Sequence, residues 1–239
     1  MPLSKIKKNT LRQTVYDQLR ESIITAELYP GEPITLRELA EKFEVSQMPI
    51  REALWQLEAE GVVVINQNKS MWVNKITLKE LEEITWIRMD METKAAQKGC
   101  RLRTEADVAR LKIVVEEMQG STDNPGFYLQ KNRQLHFGIY ESADSPVLVR
   151  LIDQLWARVG PYFNISLSRE QQSRIVSFGC HQKMFEAFMN RDARGIKEAL
   201  EEDILTAADR IRPVLENPEK MGSPKGELLS KGVGLTRGI

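Results

Sequence analysis

The 239-residue chain carries 34 basic and 34 acidic side chains and is 41% hydrophobic and 28% charged. That balance fits a globular protein of about two domains and excludes a disordered or membrane-embedded chain. No apolar run approaches the roughly 20 residues that cross a bilayer, and the start, Met1-Pro2-Leu3-Ser4-Lys5, lacks a signal peptide's apolar stretch; a cytoplasmic protein without a membrane partner is expected.

Leu11, Val15, Leu19 and Ile23 recur every four residues, predicting a first helix that Tyr29-Pro30-Gly31 ends. Thr35-Leu36-Arg37-Glu38 fits a capping box, so a second helix should run over 36–43. Glu44-Val45-Ser46 is a tight connection, and Ser46 can cap a third helix over 47–60 that Gly61 stops. Two helices joined by three residues suggest helix-turn-helix. Val62-Val63-Val64-Ile65 and Met71-Trp72-Val73, separated by a polar turn, then read as a two-stranded wing.

Beyond Thr77 the pattern changes to long helices near 78–98, 105–119, 126–142, 146–164, 169–190 and 193–212, with Gly99 and Gly120 as stops. The predicted fold is mostly α: a winged helix-turn-helix (residues 1–76) followed by an all-α antiparallel helical bundle (77–216). Residues 217–239, rich in Gly, Lys and Ser without periodicity, are expected to be a disordered tail. Cys100 and Cys180 form no CxxC pair or framework and are expected to be buried thiols.

In the third helix Ile50, Ala53, Leu54 and Leu57 share one face, while Gln47, Met48 and Arg51 share another. The second set has the chemistry of a major-groove reader: Arg pairs bidentately with guanine, Gln pairs with adenine, and Met touches a thymine methyl. Arg37, the hydroxyls of Thr35 and Ser46, and the helix N-terminal amides suit phosphate oxygens, and Lys69 at the wing tip adds a backbone or minor-groove contact. Residues 1–75 hold ten basic and ten acidic side chains, so the DNA-facing surface must be a local patch, to which Lys5, Lys7, Lys8 and Arg12 can add.

Tyr29-Pro30-Gly31, Leu36-x-x-Leu39-Ala40, Val45-Ser46-x-x-Pro49-Ile50-Arg51-Glu52-Ala53-Leu54 and Leu57-x-x-Glu60-Gly61 together resemble the GntR-family signature. The resemblance implies a homodimeric transcriptional regulator that contacts double-stranded operator DNA through Arg37, Gln47, Met48, Arg51, Asn68 and Lys69. Gln47 stands where Arg is common and Met48 where Thr is common, so the operator should differ from those of relatives. The wing has Asn68-Lys69-Ser70 in place of the family's glycine, with Asn tolerant of the left-handed conformation.

From Leu78 to Arg212 the chain resembles the FCD domain of the FadR-like subgroup, through Ile87-Arg88-x-x-x-Glu92, Leu135-His136-x-x-Ile139, Ser145-Pro146-x-Leu148, Leu155-Trp156-Ala157-Arg158 and His181-x-x-x-Phe185-x-Ala187-Phe188. That resemblance implies a divalent metal held by Asn132, His136, His181 and Asp203. The set replaces a carboxylate by an amide and a histidine by a carboxylate, and it suits zinc, nickel or manganese with open positions for an effector carboxylate. Both of the chain's 2 histidines fall at these positions. Arg88, Arg158 and Tyr162 are candidates to clamp an organic anion in the same cavity. A metal-free pocket for an acyl thioester is one rival reading. A metal-dependent hydrolase or lyase fused to a DNA-binding module is another, but no HExxH motif or phosphate-binding loop supports an enzyme.

Overall fold

A computed structural model describes residues 11–169 and 171–217, so Lys5, Lys7 and Lys8, and the tail expected beyond Asn217, lie outside the described residues. The chain divides into two compact units, Met1–Lys75 with Asp153–Asn164, and Ile76–Ile152 with Ile165–Ile239.

In the first unit, helix α1 (Leu11–Ile24) buries Val15, Tyr16, Leu19 and Ile23, the expected stripe, although Leu11 at its start is exposed. Strand β1 (Pro33–Ile34) precedes α2 (Leu36–Phe43) and α3 (Gln47–Ala59), and the wing strands are β2 (Val63–Ile65) and β3 (Met71–Val73). The antiparallel sheet has the order β1-β3-β2, with Ile34 opposite Met71 and Val63 opposite Val73. Two-residue β1 is too short to give an alternating pattern, which is why the sequence shows only two strands. Ile50, Ala53, Leu54 and Leu57 of α3 meet the α1 stripe and Ile34, Val63 and Val73 in one core. Each Leu or Ile buried there contributes about 1.5–3 kcal/mol, and this core fixes α3 with its opposite face outward.

The local chemistry departs from expectation at three places. Thr35 and Ser46 occupy the N-cap positions of α2 and α3 in extended conformation, but neither side chain makes a cap hydrogen bond. In the wing it is Lys69, not Asn68, that adopts the left-handed conformation, at φ 64°. The Asn68 carboxamide oxygen instead accepts from the Ser70 backbone N–H at 3.2 Å, closing the turn from its side chain. The stops at Glu44 (φ 54°), Gly31 (φ 81°) and Gly61 (φ 71°) do fall in left-handed turns.

The second unit is helical: α4 (Leu78–Leu102), α5 (Glu105–Gln119), α6 (Pro125–Glu141), α7 (Pro146–Arg169), α8 (Gln171–Met189) and α9 (Ala193–Glu216), with residues 153–164 of α7 belonging to the first unit. Thr77 and Thr104 close true capping boxes: each hydroxyl accepts at 3.1 Å from the amide of Glu80 or Asp107, whose carboxylates accept back from the cap amides at 2.9 Å. Helix α4 packs on α9 and on α6, α8 packs on α9, and α5 packs on α6 and α8. This is the expected helical bundle. Both cysteines are buried.

Gly99 is not the expected stop. Helix α4 runs through it to Leu102, because Gly99 lets α6 approach so closely that a methyl built there would overlap the Ile139 carbonyl oxygen. Likewise α9 continues past the expected end to Glu216, with Pro213 inside it.

Gly99→Ala should therefore destabilise the protein by about 1–3 kcal/mol despite alanine's better helix propensity, because backbone must move to admit the methyl. Gly179→Ala, at a helical glycine with nothing within 4 Å of the added carbon, should stabilise by about 1 kcal/mol. Denaturant midpoints of the two variants check the opposite signs.

Candidate functional site

The first unit presents one surface of interest. Thr35, Arg37, Ser46, Gln47, Met48, Arg51, Asn68 and Lys69 are all exposed, while the opposite face of α3 is buried in the core. The hydroxyls of Thr35 and Ser46, unused as caps, stay available to an external acceptor beside the N-terminal amides of α2 and α3. Arg37 pairs with Glu41 at 3.3 Å, but at 79% and 67% exposure the pair is solvated and easily exchanged for a phosphate. Trp55, 53% exposed one turn beyond Arg51, extends the same face; its i+4 spacing from Arg51 was the available signal. Arg12 donates to the Gln56 side chain at 3.3 Å.

The second unit holds a polar cluster in its core. Helix α6 places Asn132, His136 and Tyr140 at successive intervals of four, hence on one face, and all three are buried. His181 comes from α8 and Asp203 from α9, both buried. The His136 and His181 Nε2 atoms are 3.1 Å apart. Asp203 Oδ2 lies 3.5 Å from the first and Oδ1 3.4 Å from the second. One ligand atom from each of the three residues lies within 4.8 Å of the others. The Asn132 side-chain oxygen is buried and accepts no hydrogen bond.

Around this centre runs a hydrogen-bonded shell. Tyr140 donates to Glu92 Oε2 at 2.6 Å, Arg88 Nε donates to Glu92 Oε1 at 2.6 Å, and the Tyr140 hydroxyl also faces His136 Nδ1 at 2.9 Å. The Tyr128 hydroxyl faces His181 Nδ1 at 3.2 Å. Burial, reinforced by His181 and Arg88, pushes His136 well below the usual histidine value of 6.5, and burial likewise lowers His181 against the pull of Asp203. The carboxylate of Asp203 thus faces two uncharged rings. Two neutral imidazoles and a carboxylate form a donor set that a divalent cation would satisfy, and the orphaned Asn132 oxygen lies on the same helix face as His136.

Of the three residues expected to clamp an anion, Arg88 pairs with Glu92 in the second unit, and Arg158 and Tyr162 lie in the stretch of α7 assigned to the first. Glu92, Tyr140 and Tyr128 surround the site but are not singled out as functional by the sequence. The i+4 spacings Arg88–Glu92 and His136–Tyr140 were the available signal. Cys180, beside His181, is no activated nucleophile: burial pushes its thiol up to about 11.

Comparison with known proteins covers both units. Residues 11–73 match the bacterial regulatory proteins of the gntR family, and residues 83–206 match the FCD domain. The HTH-type transcriptional regulator McbR of Escherichia coli is 28% identical over 159 residues, spanning 66% of this chain and 72% of that protein. The HTH-type transcriptional repressor RspR of the same species is 22% identical over 206 residues, spanning 85% and 90%. The solved structure of E. coli McbR/YncC shares the fold with a TM-score of 0.79 at 23% identity, covering 85% of this chain and 98% of that one. The chain belongs to the GntR family of transcriptional regulators, in the branch with an FCD domain, and is a DNA-binding regulator rather than an enzyme.

Proposed function

We propose that this FadR-like regulator acts as a homodimer whose two α3 helices enter successive major grooves of a pseudo-palindromic operator. The exposed row Gln47, Met48 and Arg51 reads base edges, Thr35, Arg37 and Ser46 position the helix on phosphates, and Asn68 and Lys69 contact the backbone from the wing. The core of unit one supports this reading by fixing α3 with that row outward.

In the bundle, His136, His181 and Asp203 hold a divalent metal of the zinc, nickel or manganese class, with Asn132 as a neutral oxygen donor. The observation that carries this is the convergence of both Nε2 atoms and the Asp203 carboxylate, with the buried, unpartnered Asn132 oxygen one helical turn before His136 on the same face of α6. Such a metal supplies a Lewis-acidic position for a carboxylate effector, and the effector reading rests on that position. Effector and operator affinities are then linked through the protein, each biasing the other by the same factor.

With an operator selected from random duplexes, Arg51→Ala should cost about 1–3 kcal/mol of specific binding, while Lys69→Ala should weaken all sequences alike. Fluorescence anisotropy measures both, and unchanged operator affinity in Arg51→Ala would remove the base-reading role. Purified protein should carry about one zinc-class ion per chain, lost in His136→Ala; elemental analysis that finds the metal unaffected by the substitution contradicts the site. Because burial holds both folded histidines below 6.5, the unfolded chain binds more protons below that pH. Stability of metal-free protein is therefore full above 6.5 and is lost as pH falls through it. Chemical denaturation at about pH 7.5 and about pH 5.5 measures the loss, which His136→Ala should reduce.

A further inference from the structure

We infer that Arg88, Glu92 and Tyr140 form a positioning relay that locks His136 in one tautomer, with the proton on Nδ1 and the Nε2 lone pair turned toward His181 and Asp203. The direction of every hydrogen bond in the chain follows from its charged end. Arg88 lies 2.6 Å from Glu92 with both side chains almost fully buried, so Glu92 is a carboxylate and can only accept. Its second oxygen accepts from the Tyr140 hydroxyl at 2.6 Å, which consumes the one proton that hydroxyl has to give. The Tyr140 oxygen, 2.9 Å from His136 Nδ1, is then left to accept, and Nδ1 must carry the hydrogen. A neutral imidazole has a single N–H, so Nε2 is bare.

The other imidazole is held only through the first. With His136 Nε2 bare, the 3.1 Å contact in metal-free protein puts the hydrogen on His181 Nε2, and Tyr128 then donates to His181 Nδ1 at 3.2 Å; a cation at the centre would move that hydrogen to Nδ1, where the Tyr128 oxygen can accept it. The cluster therefore has one preset donor and one adjustable donor. Arg88, from this geometry, is the charged anchor of the relay. As a device for presenting a ligand nitrogen, the relay rests on the metal reading above; as a tautomer lock it stands on the hydrogen bonds alone.

The two roles separate in one set of experiments on the untagged full chain, whose 2 histidines give a simple nitrogen-15 imidazole spectrum. In metal-free protein His136 should show a protonated Nδ1 and a bare Nε2. Tyr140→Phe removes the acceptor and leaves a buried Nδ1–H without its partner, so His136 should shift toward the Nε2–H form. Glu92→Gln should move it in the same direction, and it serves as the second variant should Tyr140→Phe fold poorly. Zinc affinity should fall about 10–100-fold in Tyr140→Phe, the usual effect of losing a partner behind a ligand histidine. An Nε2–H tautomer in the unsubstituted protein, or an Nδ1–H tautomer retained in Tyr140→Phe, overturns the relay. The expected tautomers without any zinc binding by the unsubstituted protein overturn the metal reading and uphold the lock, while equal zinc affinity in the two proteins overturns the relay's part in metal binding.

Discussion

Two imidazoles, a carboxylate and a carboxamide are buried in one helical core, and that core is tolerable only if each polar atom finds a partner or a cation. This constraint orders much of the second unit. It requires α6 to present Asn132, His136 and Tyr140 on one face, α8 and α9 to supply His181 and Asp203, and α4 to supply Arg88 and Glu92 behind them. Gly99 matters for the same reason, because without its missing side chain α4 would stand farther from the α6 backbone at Ile139. The inner end of the cluster is fully satisfied by the Arg88–Glu92–Tyr140 chain. The centre is not: Asp203 faces neutral rings, and Asn132 Oδ1, one turn before His136 on α6, has no donor.

The first unit obeys a different economy, in which the core is apolar and the function lies outside. Hydrophobic contacts on one face of α3 fix the helix without consuming any polar group on the other. The hydroxyls of Thr35 and Ser46 fit the same division of labour, since each stands at a helix start but is not spent on capping it. A surface that turns Gln47 and Arg51 outward, beside hydroxyls that make no cap bond, is suited to phosphates and base edges. The family match to a DNA-binding regulator agrees with that distribution.

The helices and the wing strands were legible because their signals are local: the four-residue stripe of α1, the Thr77 and Thr104 capping boxes, and the Pro146 entry to α7 all act within a few residues. What the sequence misread depends on contacts between distant segments. Gly99 reads as a helix stop in isolation, but across the bundle it is a contact glycine. The Thr35 box has the right letters, but the hydrogen bond is absent from the fold. Lys69 takes the left-handed turn because the Asn68 side chain is engaged with the Ser70 amide. Asn132, His136, His181 and Asp203 are named through family resemblance, and only the fold brings His136, His181 and Asp203 together. The relay behind His136 joins α4 to α6 over 48 positions of sequence, a distance at which no spacing rule operates.

The role of the second unit depends on whether a cation sits among His136, His181 and Asp203. Anomalous diffraction at the zinc edge from crystals of the zinc-treated protein tests this most directly. One peak per chain is expected, about 2.0–2.2 Å from both Nε2 atoms and a carboxylate oxygen. No peak at that position, with the two imidazoles instead sharing a direct N–H···N hydrogen bond at the 3.1 Å separation seen here, would contradict it.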